Sequence, residues 1–202
     1  MATRAAPAAP AHATGPPSAW VQRHARLLKP QAQVLDVACG SGRHLRWLAA
    51  QGLQVTGVDR DAQALAGLAG TGQQVQADIE NGPWPFATQS FDCVVVTNYL
   101  WRPLLPVLQQ ALAPGGVLIY ETFAHGQQTV GRPSRPDFLL QPGELLNAFP
   151  GLRVVAYEDG FEPAVVDQTA QTAQTAPRFV QRLAAVNVAA DAEPPPRHLI
   201  AP

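Results

Sequence analysis

Val34-Leu35-Asp36-Val37-Ala38-Cys39-Gly40-Ser41-Gly42 reads as a short buried strand, a glycine-bearing turn and the start of a helix near Gly42. Val34, Leu35 and Val37 are apolar and mostly β-branched, which suits a strand inside a parallel sheet. Gly40 and Gly42 let the backbone turn sharply and let a ligand approach with no Cβ in the way. The next segment, Arg43-His44-Leu45-Arg46-Trp47-Leu48-Ala49-Ala50, sets Leu45, Leu48 and Ala49 on one face at helical spacing. Strand, tight turn and helix N-terminus together make a nucleotide-type cradle.

Two further acids fall where such a cradle needs them. The second strand, Leu53 to Val58, ends in Asp59, nineteen residues past Gly40. An acid at that tip can accept hydrogen bonds from a ribose diol. Val75-Gln76-Ala77 then runs into Asp78-Ile79, an acid and a backbone N–H suited to an adenine edge. This pattern resembles the class I S-adenosylmethionine-dependent methyltransferases, which commonly read acid-x-Gly-x-Gly-x-Gly at the first turn. Here Ala38 stands at the first glycine, the smallest departure available. A dinucleotide dehydrogenase would place a third glycine three residues after Gly42, and that position is Leu45.

Around this centre the chain falls into three parts. Residues 1–16 are Ala, Pro and little else, and are expected to form a disordered tail. Residues 17–188 are expected to form one domain, and 189–202 a Pro-rich C-terminal tail. A helix is expected from Ser18, a plausible N-cap, to Leu28, with Pro30 beyond it. Its His24 or Arg23 either lines the pocket or lies on a solvated face. A second helix is expected over Asp61–Gly70, and a Pro-rich loop holds Trp84 and Phe86, read as packing residues. Phe91 to Thr97 is the strongest buried strand, and it leads into Asn98-Tyr99-Leu100-Trp101-Arg102-Pro103. A helix over Leu104–Leu112 is closed by Ala113-Pro114-Gly115-Gly116, ahead of the strand Val117–Tyr120 and of Glu121-Thr122-Phe123. Ala124 to Gln141 is a long irregular insert, a form often taken by binding lids. A short helix (142–149), strands at 152–159 and 178–186, and a hairpin tip in the Gln-Thr-Ala repeat (168–176) complete the pattern.

The resemblance spans roughly Ser18 to Val188. It implies an α/β, Rossmann-like, doubly wound, seven-stranded, mostly parallel sheet with an antiparallel last strand. Asp36 to Gly42, Asn98-Tyr99-Leu100, Leu112 to Gly116 and Tyr120 to Phe123 bring the chain nearest the small bacterial tellurite-resistance-type methyltransferases. The cofactor so implied is S-adenosyl-L-methionine. Ala38, Cys39, Gly40, Ser41 and Gly42 would cradle its methionine part, while Asp36 orients the turn or meets the amino group. Asp59, with Arg60 beside it, would take the ribose, and Asp78 and Ile79 the adenine. Thr97 and Asn98, at a strand's carboxyl end, would face the same crevice.

On the acceptor side, Tyr99 would close on the methyl group, and Glu121 is either a general base or a solvated acid. Trp101 and Phe123 flank that region. Arg102, Arg132 and Arg135 either gather over the site to hold an anion or pair with Asp137 and Glu144. An oxyanion acceptor would need no base; a thiol or hydroxyl is equally open. Transfer to such a small molecule stands against a non-catalytic cofactor-binding partner protein and against a methyltransferase of RNA or protein.

Bulk properties bound these readings. The net charge of −1 and charged content of 14% give no basic field, which disfavours long nucleic acids as partners. Cys39 and Cys93 sit in no metal-ligand run, and the five histidines are scattered, so no metal is expected. No apolar run has transmembrane length and no secretory signal is evident, which points to a cytoplasmic protein. A monomer or homodimer is expected.

Overall fold

Two neighbouring parallel strands, β1 (Gln33–Val37) and β4 (Phe91–Thr97), carry the centre of the sheet. Val34, Leu35, Val37, Cys93, Val94, Val95 and Val96 are each 1% exposed or less, because helices cover both faces. Burial of each large aliphatic side chain stabilises the fold by roughly 1.5–3 kcal/mol. The computed structural model describes residues 15–167 and 172–188. Residues 1–14 of the expected 1–16 tail, the expected tail at 189–202, and residues 168–171 of the repeat lie outside the described residues.

The remaining strands are β2 (Gln54–Asp59), β3 (Gln73–Gln76), β5 (Leu112–Phe123), β6 (Arg153–Glu162), β7 (Val165–Asp167), β8 (Thr172–Thr175) and β9 (Arg178–Val186). Seven of them form one sheet in the order β3-β2-β1-β4-β5-β9-β6, and β7 and β8 pair separately and antiparallel. β3, β2, β1, β4 and β5 are mutually parallel, and β9 runs antiparallel between β5 and β6. The expected mixed sheet with an antiparallel last strand is the one observed. The order in which the chain adds strands reverses between β1 and β4, and sheets of this kind bind ligands at the carboxyl ends of strands at such a switch point.

Among the described residues five α-helices flank this sheet: α1 (Ala19–His24), α2 (Arg43–Ala50), α3 (Ala62–Ala66), α4 (Leu105–Gln110) and α5 (Glu144–Asn147). The caps are those that the residue types dictate. Ser18 Oγ accepts from Trp20 N at 3.1 Å, and Asp61 Oδ1 accepts from Gln63 N and Ala64 N at 2.8 and 3.2 Å. Trp20, Val21, Leu45, Leu48 and Leu65 pack one face of the sheet, and Leu104, Leu105, Leu108, Leu145 and Phe149 the other.

Helix lengths differ from expectation. The segment expected as one helix over 104–112 is a 3-10 turn, Arg102–Leu104, followed by α4, with β5 already beginning at Leu112. Leu112 is drawn into the ladder opposite Phe91, and the Pro114-Gly115-Gly116 segment becomes a bulge between that pair and Cys93↔Val117. A Cβ on Gly116 would come within 2.9 Å of Phe91 O, so the bulge needs glycine there. α3 ends by Ala66, short of the expected Gly70.

Candidate functional site

The carboxyl ends of β1, β2 and β4 converge on the turn at 38–42. Its backbone is left-handed at three positions, Ala38 (φ 53°), Gly40 (φ 52°) and Gly42 (φ 72°). Ala38 therefore adopts a conformation that costs a residue with a Cβ about 1–2 kcal/mol. Gly42 is held for a second reason: a Cβ there would lie 2.3 Å from Leu68 Cδ2. Cys39 N donates to Val58 O at 3.1 Å, tying the turn to β2. Ser41 is half-buried in the turn.

Asp59 is the second tie. Its Oδ2 accepts from Gly40 N at 2.8 Å and its Oδ1 from Asp61 N at 2.9 Å. The carboxylate thus spans the tip of β2 and the glycine turn while staying 9% exposed, and each oxygen retains a second lone pair. Arg60 beside it is exposed. Asp78 closes a turn of its own. Its Oδ1 accepts from Glu80 N and Asn81 N and its Oδ2 from Asn81 Nδ2, and these bonds hold its carboxyl below the usual carboxylate range. Ile79 packs against the core.

Asp36 has a different character. It is 2% exposed, its Oδ2 has no hydrogen-bond partner, and burial raises its pKa from 3.8 to about 7 against the opposing pull of Arg43. A buried carboxylate oxygen without a donor carries a desolvation cost of order 1–3 kcal/mol, more when charged. At the end of β4 two more polar atoms are buried and unpartnered, Asn98 Oδ1 and Tyr99 Oη. Asn98 is itself left-handed (φ 54°), a strained state for a residue with a side chain. Its N–H donates to Glu121 O at 2.9 Å, and Tyr99 O accepts from Tyr120 Oη at 2.9 Å, so both ends of the strained pair are pinned. Burial, then the nearby Glu80 carboxylate, push the Tyr99 hydroxyl pKa well up, and the two groups do not meet hydrogen-bond geometry.

Glu121 is fully buried. Arg178 Nη1 donates to its Oε1 at 3.2 Å and Arg182 Nε to its Oε2 at 2.5 Å. Arg182 also reaches Glu158 and Glu162, Arg178 reaches Glu162, and Arg23 of α1 reaches Glu158. Of the two sequence readings, a general base or a solvated acid, burial and pairing exclude the solvated acid. β9 threads between β5 and β6 and so delivers two arginines to it. Arg178 and Arg182 were missed because nothing near them in sequence marks them.

The arginine question resolves toward pairing. Arg102 Nε and Nη2 bind Glu144 at 2.6 and 3.0 Å, and its Nη1 and Nη2 donate to Asp137 O and Leu139 O at 2.9 Å. It clamps the insert 124–141 to the start of α4. Arg135 pairs with Asp137 at 2.7 Å and lies over the Phe138 ring, and Arg132 is exposed. Trp101 and Phe123 are half-buried at the strand ends, with Trp101 against the core.

His24 and His44 are both buried. His24 packs edge-on against Trp20, and burial lowers its pKa to about 4. His44, which sequence reasoning passed over, accepts from Ser18 N at Nε2 (3.1 Å) and faces Thr97 Oγ1 through Nδ1 (3.3 Å). Burial, then Arg43, lower its pKa to about 3, so it is neutral. Cys39 and Cys93 are free and buried, no helix among the described residues is long and apolar enough to cross a membrane, and no metal-ligand group occurs among them.

Comparison with known proteins agrees with this geometry. Residues 34–116 match the methyltransferase-domain family. Demethylmenaquinone methyltransferase of Tropheryma whipplei is 31% identical over 121 residues, 55% of this chain and 51% of that protein. Malonyl-[acyl-carrier protein] O-methyltransferase of Enterobacter lignolyticus is 37% identical over 101 residues, 46% of this chain and 39% of that protein. The chain thus spans about half the length, or less, of these curated relatives. In fold it is similar to TehB from Haemophilus influenzae (TM-score 0.67, 18% identity, 83% of this chain and 61% of that one). A SAM-dependent methyltransferase from Methanosarcina mazei is similar too (TM-score 0.63, 15% identity, 86% and 99%). The sheet order and the left-handed turn thus go with a methyltransferase-domain match over residues 34–116 and with a fold similar to that of a SAM-dependent methyltransferase.

Proposed function

We propose that the protein binds S-adenosylmethionine at the β1–β4 crevice and transfers its methyl group to a small molecule. The observation that carries this reading is the buried, unpartnered Asp36 Oδ2 beside the left-handed turn of residues 38–42. A ligand ammonium is the group that such a lone carboxylate oxygen lacks. The turn keeps its left-handed form although Ala38 replaces glycine, which favours a working cradle over a lapsed one.

When bound, the cofactor supplies an electrophilic methyl group on a sulfonium. The protein's residues then have to hold, align and exclude water. Asp36 meets the amino group, and the backbone of Ala38 to Gly42 lies along the methionine part. Asp59 uses its remaining lone pairs on the ribose hydroxyls with Arg60 beside them, and Asp78 and Ile79 border the adenine. Thr97 and Asn98 close the crevice from β4. Tyr99 positions the acceptor, with Trp101 and Phe123 as apolar walls. Glu121, taken up by two guanidinium groups, organises β9 rather than removing a proton. Arg102 and Arg135 act through the insert that they brace, and Arg132 remains available at its surface.

Calorimetric titration with S-adenosylmethionine and S-adenosylhomocysteine tests the reading. Micromolar binding of both is expected. Failure of both to bind would end it.

A further inference from the structure

β6 closes one end of the sheet, and among the described residues no strand pairs with its outer side. An edge strand presents a row of unpaired backbone N–H and C=O groups, and proteins commonly keep such edges short or polar. The opposite edge, β3, follows that rule, with four residues of which three are glutamine. β6 departs from it. It runs for ten residues, Arg153–Glu162, and carries two exposed large apolar side chains, Val154 (41% exposed) and Phe161 (51%).

This strand is complementary to itself read backwards. Arg153, which has no ion-pair partner among the described residues, begins it and Glu162 ends it, with Val154 and Phe161 one step inside. In a regular strand, residues an odd number of places apart point to opposite faces, and neither pair would meet across a two-fold axis. The ladder with β9, however, shifts register between Val154 and Ala156, which leaves Val155 as a bulge. Arg153 and Glu162 consequently oppose Val186 and Arg178 of β9, while Val154 and Phe161 oppose Ala185 and Phe179. The charged pair therefore shares the α1 face of the sheet, and the apolar pair the α5 face.

Gly160 is an independent sign. Its φ is not left-handed, and a Cβ built on it meets nothing within 4 Å. Neither the backbone nor the packing of a single chain calls for glycine there. Glycine inside a strand often marks the close approach of another backbone.

We propose that β6 pairs antiparallel with β6 of a second copy of this chain, about a two-fold axis at Glu158, and joins two sheets into one. In that register Arg153 lies opposite Glu162 of the second copy, Val154 opposite Phe161, and Tyr157 opposite Asp159. The bulged Val155 and Ala156 fall opposite Gly160, where two residues face one and the missing Cβ leaves them room. Glu158 meets its own copy at the axis. Each Glu158 accepts from Arg182 Nη1 at 2.8 Å and from Arg23 Nη1 at 3.4 Å, so four guanidinium groups accompany the two carboxylates. Arg153 of the second copy also joins a larger network, because Glu162 holds Arg178 and Arg182 and these hold Glu121. None of these contacts depends on the proposed function.

Sedimentation equilibrium of the full chain tests the pairing, with wild type, Gly160→Val, Arg153→Glu and Val154→Lys. An interface of one strand pair lies below the standard size of about 1,600 Å², so a dissociation constant of about 10–100 μM is expected, and the titration runs from about 1 to about 500 μM. Gly160→Val should raise that constant about tenfold or more, because symmetry introduces the clash twice. In urea unfolding at about 1 μM, where the chain is monomeric, the same variant should be at least as stable as wild type, since valine suits a strand better than glycine. Arg153→Glu sets like charges opposite one another at both ends and should weaken the dimer by a similar factor, as should Val154→Lys. Both should unfold as wild type does when dilute, and added salt should loosen the wild-type dimer. A wild type that stays monomeric at about 500 μM, or a dimer whose dissociation constant is unchanged in the folded variants, would overturn the proposal.

Discussion

Replacing Asp36 by Asn should change how folding stability depends on pH, and the size of that change follows from the burial of this one carboxyl. In the folded protein its pKa rises from 3.8 to about 7, first because it is buried and then because Asp59 is near, against the pull of Arg43 and of the Leu45 N–H. A raised carboxyl pKa means that the native state binds the proton more tightly than the unfolded chain does. The stability that this proton confers is therefore full below pH 3.8, declines as pH rises toward 7, and is gone above it. Three decades of proton affinity correspond to about 4 kcal/mol, of which about 1.5 kcal/mol is already lost at pH 5. Asn carries no such titration. The cost of its buried amide is the same at every pH. Urea unfolding at about pH 5 and about pH 8 should show the variant gaining about 3 kcal/mol on the wild type between the two. Other titrations are common to both proteins and largely subtract. A difference that stays constant between these pH values would refute the assignment of Asp36 as a strained, partly protonated acid. Saturating S-adenosylhomocysteine should flatten the wild-type slope, since an ammonium beside Asp36 replaces the proton.

Other expectations can be checked separately. Asp59→Ala removes the acceptor for Gly40 N and Asp61 N and should destabilise the protein by about 1–3 kcal/mol in urea unfolding while weakening S-adenosylhomocysteine binding. The exposed Arg153→Ala should do neither, and equal effects of the two would remove the ribose role. Glu121→Gln leaves Arg178 and Arg182 short of a charge partner and should cost about 3–5 kcal/mol by thermal or urea melts, as broken buried pairs do; a fully stable Gln variant would reopen its role as a base. Ala38→Gly relieves the left-handed strain at φ 53° and should be neutral to stabilising by about 1 kcal/mol, and a loss of stability would mean that the Ala38 methyl packs usefully.

The parts read correctly from sequence were the local ones. A β-branched run, two glycines and a helical repeat decide strand, turn and helix within fifteen residues, and Ser18 and Asp61 cap helices through bonds to their own next turn. Asp59 was placed beside the turn because a parallel β-α-β unit has one geometry. Helix ends were less legible, since Leu112 left its helical pattern for the ladder opposite Phe91.

What only the tertiary structure decided is the pairing of charges and the direction of hydrogen bonds across the crevice. Arg102 and Glu144 are 42 residues apart, His44 and Thr97 53, and Glu121 and Arg182 61. Composition supplies such partners but not their register, which is set by the insertion of β9 between β5 and β6. Buried charges interact strongly only with the groups that the fold places within a few ångströms. The type of fold was therefore written in the short-range pattern, while the surroundings of Asp36, Glu121 and Arg102 waited on which strands became neighbours.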